Sequence, residues 1–68
     1  MSAVVIKKIK FLCNAWGIDF DVAMHALQCH AFMGEKDHRF MHYCKERDAD
    51  IEIIGEENFW LLVCVAFE

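Results

Sequence analysis

Six side chains able to hold a metal or move a proton crowd between positions 25 and 44: His25, Cys29, His30, His38, His42 and Cys44. All four histidines and two of the four cysteines of this 68-residue chain fall in that stretch. His25 and Cys29 stand four apart, as do His38 and His42. On neighbouring helices two such pairs could supply the four tetrahedral ligands of a zinc ion. Helical periodicity argues the other way. His25 shares a polar stripe with Asp21 and Gln28, while His38 and His42 share an outer face with Lys45 and Glu46. Convergence would turn polar faces inward and expose Phe40 and Leu27. The expectation is no metal and no cofactor, with His25, Cys29, His38 and His42 as the residues that would hold a metal if one bound.

Nucleophilic catalysis has less to work with. A reactive cysteine needs an exposed thiolate, a nearby base and a group to orient that base. Cys29 beside His25 offers the best geometry, but the sequence shows no third group and no loop that would stabilise an oxyanion. The three glycines, Gly17, Gly34 and Gly55, are isolated, so no phosphate-cradling loop is present. The expectation is a protein that is not an enzyme.

The elements that would position these residues are punctuated by the same glycines. Residues 3 to 16 read as a helix with Val5, Ile9, Leu12, Cys13 and Trp16 on one face, Ser2 as its cap and Gly17 as its stop. The run Val4-Val5-Ile6 keeps an edge strand over residues 3 to 12 as the alternative. Residues 20 to 33 read as a second helix capped by Asp19, apolar on nearly every side. Residues 36 to 47 read as a third, with Phe40, Met41, Tyr43 and Cys44 inward. From there the period changes. Asp50-Ile51-Glu52-Ile53 alternates as a half-buried strand, Gly55 to Asn58 reads as a hairpin loop, and Phe59 to Phe67 reads as a strand apolar on both faces. The predicted fold is a single α+β domain of three short helices and a C-terminal antiparallel hairpin. Its alternative is a three-stranded sheet joined by an N-terminal strand.

Composition then bears on partners. Apolar residues make up 57% of the chain, above the ~45–50% usual in soluble domains. So small a body cannot hide that much apolar surface, which predicts a homo-oligomer or a covering protein partner. The strip Trp60, Leu62, Cys64 and Ala66, on the uncovered face of the last strand, is the expected interface. The outer face of the third helix, with His38, Arg39, His42 and Lys45, is the expected contact for an acidic partner. Nucleic acid is the competing partner, in two forms. One is a winged helix with residues 36 to 47 as recognition helix. The other is a helix-turn-helix centred on Gly17, with Leu12, Cys13, Ile18 and Leu27 in its apolar positions. Charge opposes both. Residues 48 to 68 carry six acids and no base, and Asp19 and Asp21 would open the recognition helix of the second form.

The longest apolar run, Phe59 to Phe67, is far shorter than the ~20 residues of a membrane span. Lys7, Lys8 and Lys10 break any apolar core of a signal peptide. A cytoplasmic protein with reduced cysteines is the expectation. The function this pattern predicts is that of a small non-enzymatic regulator or inhibitor acting through protein binding as a homodimer.

Overall fold

The computed structural model describes residues 1–33 and 40–67, and every regular element in them is helical. The order is α1 (Ala3–Trp16), α2 (Phe20–Met33), α3 (Phe40–Ile54) and α4 (Glu56–Phe67). The predicted α+β fold is therefore wrong. No strand occurs among the described residues, neither the C-terminal hairpin nor the N-terminal strand of the alternative.

The first two helices follow their sequence signals. Ser2 Oγ accepts the Val5 N–H at 3.3 Å, closing the start of α1. Gly17 ends it in the left-handed region at φ 71°, and the Ile18 N–H returns to the Cys13 carbonyl at 2.9 Å. Asp19 caps α2, with Oδ1 accepting the Asp21 N–H at 2.8 Å.

Residues 50 to 67 are where period two misleads. Asp50 to Ile54 simply continue α3. Ile54 is buried and Ile51 packs against the core, one helical turn before it, while Glu52 and Ile53 face outward. Gly55, at φ 96°, is the whole connection to α4. It acts as a helix stop and not as a hairpin tip, and its N–H bonds the Ile51 carbonyl at 2.8 Å. Asn58 Nδ2 donates to the Ile54 carbonyl at 3.1 Å, which ties the new helix to the end of the old one. Glu56 and Glu57 then occupy the first turn of α4, where the helix dipole favours negative charge.

Once α4 is a helix, its nine-residue apolar run divides into two faces at intervals of three and four. Phe59, Leu62 and Val63 turn into the core, while Trp60, Leu61, Cys64 and Phe67 turn out. The core collects one contribution from each element: Ile9 and Cys13 from α1, Ala23, Ala26 and Leu27 from α2, Ile54 from α3, and the three residues of α4. The small side chains of Ala23 and Ala26 let α2 lie close to its neighbours. Its broadest contact is with α3. The pairs His25–Asp50 and His30–Arg47 run in opposite directions along the two helices, so α2 and α3 are antiparallel.

Candidate functional site

The α2–α3 seam holds most of the chemically capable side chains of the described residues. At one end, Asp50 Oδ2 lies 2.5 Å from His25 Nδ1. A carboxylate can only accept, so Nδ1 carries the proton. The second ring nitrogen of His25, Nε2, faces Cys29 Sγ at 3.7 Å, one turn further along α2. Thiol, imidazole and carboxylate thus stand in a line. Asp50 is the orienting third group that sequence reasoning did not find.

That order is the one a cysteine nucleophile uses, yet its surroundings oppose a nucleophile. Cys29 is only 4% exposed. Burial, and then the negative charges of Asp50 and Glu46, push its thiol above the ordinary cysteine value. Cys29 also lies inside α2, where the neighbouring N–H groups are committed to helix hydrogen bonds and cannot form an oxyanion hole.

The other end of the seam is aromatic. Arg47 Nη1 lies 3.0 Å from His30 Nδ1. A guanidinium can only donate, so Nδ1 accepts and the ring is neutral with its proton on Nε2. Burial, and then the Arg47 charge, hold His30 below the usual histidine range. The ring meets Phe59 edge-on at 5.6 Å and Trp60 at 5.5 Å, and the guanidinium lies 6.0 Å from the centre of Phe59. Arg47 Nε is buried without a hydrogen-bond partner among the described residues. This cluster joins α2, α3 and α4, and its polar groups serve the packing.

The other predicted site residues are scattered. His38 and Arg39 lie outside the described residues, as do Gly34 and the side chains of Phe40 and Met41. His42 is exposed on α3 with its ring 5.6 Å from that of Tyr43, and Lys45 is exposed three residues further on. Cys44 leans toward Asp48, 3.9 Å away. On α3 it is Asp50 that meets His25, and the negative charges of Asp50 and Glu46 act on Cys29. Among the described residues, no three His, Cys, Asp or Glu side chains converge on a point where a metal could sit.

The expected interface strip is also parted by the helix. Trp60 and Cys64 remain together on the outer side of α4, Leu62 is fully buried, and Ala66 is half-buried. Leu61, which the strand reading placed on the opposite face, joins Trp60 instead. Glu57, Trp60, Leu61 and Cys64 line one shallow groove of about 400 Å³. A second groove, of about 430 Å³, runs between α1 and α4 and is lined by Val4, Lys7, Lys8, Phe11, Leu12 and Val65. It is apolar at its floor and basic at its edge.

For nucleic acid, the winged form loses its wing, because α4 stands where the hairpin was expected. The turn between α1 and α2 has the length a helix-turn-helix requires, but the Asp19 carboxylate is engaged in capping α2. Asp21 is exposed beside it. No described helix is long and apolar enough to cross a membrane. Comparison with known proteins finds no family model, curated protein or solved structure that matches this chain.

Proposed function

We propose that this protein acts by binding protein, in the first place a second copy of itself, through the outward faces of α1 and α4. In that role it is a small non-enzymatic regulator or inhibitor. One observation carries the reading. Among the described residues, Val4 and Phe11 on α1 and Trp60, Leu61 and Phe67 on α4 are all exposed, with Phe11 at 72% and Leu61 at 54%. Large apolar side chains grouped on two packed helices mark an interaction surface, whereas the same residues scattered singly would mean little.

Charge favours a second copy as the occupant. Lys7 and Lys8 border the α1 groove, and Glu57 borders the groove on α4, with Glu56 beside it. A two-fold axis between the grooves would set the lysines of one protomer against the glutamates of the other. A standard interface removes about 800 Å² from each partner, roughly one-sixth of the 4757 Å² this chain exposes.

Light scattering and native mass spectrometry test the reading. The wild-type chain is expected to be a dimer across the micromolar range. Trp60→Glu and Phe11→Glu should each give a monomer of unchanged helical content. Lys7→Glu with Lys8→Glu should weaken the dimer, and adding Glu56→Lys and Glu57→Lys should restore it. A wild-type monomer, or a dimer indifferent to both single substitutions, refutes the proposal.

A further inference from the structure

We propose that the cavity bounded by α1, α2 and the end of α4 binds an elongated organic cation, a single-chain alkylammonium with its head at Asp21 and its tail against Phe67. The cavity holds about 550 Å³, within the range of small-molecule sites. Its α2 wall is two stripes side by side. Asp21, His25 and Gln28 form a polar one at helical spacing, and Met24, Leu27 and Ala31 form the apolar one beside it. Met1 and Ile6 of the α1 end, with Phe67 of α4, supply the remaining lining.

Shape sets the length of the occupant. Asp21 stands in the first turn of α2 and Ala31 in its last. At roughly 1.5 Å per residue these two positions lie about 15 Å apart. Phe67 marks the far end, because its ring centre is 6.0 Å from that of His30, the neighbour of Ala31. The depth between them is apolar: Leu27 is fully buried, and Ile6 and Met24 are half-buried. The complementary molecule is long, apolar over most of its length and polar at one end.

Charge sets the sign of the head. Asp21 is the one acid of the lining, which holds no lysine or arginine. Its carboxylate is exposed and makes no ion pair among the described residues. Capping does not occupy it either, since Asp19 accepts the Asp21 and Val22 N–H groups at the start of α2. Asp50, bound to His25 Nδ1, adds a second acid behind the polar stripe. An alkyl anion of the same length would press its head against Asp21. The lining shares no residue with the two grooves assigned to dimerisation. Of the exposed apolar residues on the dimer face only Phe67 borders the cavity, so this site is independent of the dimer.

Decyltrimethylammonium is the probe, titrated by calorimetry below the concentration at which it forms micelles. The expected result is one saturable site per chain, with decyl sulfate and tetramethylammonium each at least about 10-fold weaker. Asp21→Asn should weaken the alkylammonium about 5-fold, as loss of one exposed charge pair does. Asp21→Lys should turn the preference toward decyl sulfate. Ala31→Trp fills the far end from an exposed position and should abolish binding, with circular dichroism confirming that the helices persist. Phe11→Glu should bind as the wild type does, whatever its oligomeric state. Equal affinity for the cation and the anion overturns the proposal. So does uptake of several molecules per chain without saturation, or binding that survives Ala31→Trp or is lost in Phe11→Glu.

Discussion

Leu61 and Leu62 are adjacent and chemically identical, yet α4 assigns them opposite fates. Leu62 is fully buried against the other helices, and Leu61 is 54% exposed. Truncating a buried leucine to alanine costs about 2–5 kcal/mol, from lost transfer energy plus the cavity left behind. A chain of this size has about 3–10 kcal/mol of stability in all. Leu62→Ala should therefore lower the urea midpoint by half or more and could leave the chain largely unfolded. Leu61→Ala should cost under about 0.5 kcal/mol in the isolated protomer, as an exposed substitution does. Urea titrations followed by circular dichroism, run at two protein concentrations, read both numbers. The Leu62 loss should not depend on concentration, whereas any Leu61 loss should appear only where the protein self-associates. A strand with two covered faces would make the two substitutions comparably costly. Equal losses, or a larger loss at Leu61, would refute the helical assignment of Phe59 to Phe67.

Other consequences can be checked in the same titrations. His30 is held below its ordinary value by burial and by Arg47, so the unfolded chain binds a proton before the folded one does. Its contribution is intact above about pH 6.5 and is lost as the pH falls below that value. The urea midpoint should thus be lower at about pH 5.5 than at about pH 7.5, and His30→Gln should flatten that part of the profile; an unchanged slope in the variant would assign the effect elsewhere. Gly17→Ala places its Cβ in open space but keeps a φ of 71°, so it should cost about 1 kcal/mol, or roughly 4–8 °C in Tm. A neutral result there would mean that the end of α1 relaxes.

The first half of the chain was legible because its helices announce both ends. Ser2 and Gly17 bracket α1, Asp19 opens α2, and each does locally what its side chain predicts. The second half carries no such unambiguous marks. Asp50-Ile51-Glu52-Ile53 alternates over only four residues, too short to tell a period of two from one of 3.6 when Ile51 and Ile54 are one turn apart. Phe59 to Phe67 is apolar at every position, so periodicity within it carries no information. Length was the better guide, since nine apolar residues preceded by Glu56 and Glu57 also make an ordinary helix with acids in its first turn. Gly55 terminates a helix as readily as it turns a hairpin. The Asp50 partner of His25 lies 25 positions away. Its one signal was the spacing of Glu46 and Asp50, which matches that of His25 and Cys29 once two antiparallel helices are laid side by side.

The ambiguity of α4 has a physical sequel. Its last nine residues hold no charge, no proline and no glycine, the composition from which amyloid-type zippers assemble when a segment escapes its fold. Held as a helix against Ile9 and Leu27, it is harmless. Melted loose, it meets other copies edge to edge, with Glu56 and Glu57 as the only gatekeepers immediately upstream. Crowded or destabilised preparations should therefore deposit fibres seeded by this peptide, and a charge at Leu61 should suppress them at little cost to the packing of the single protomer, though it would also oppose the proposed dimer.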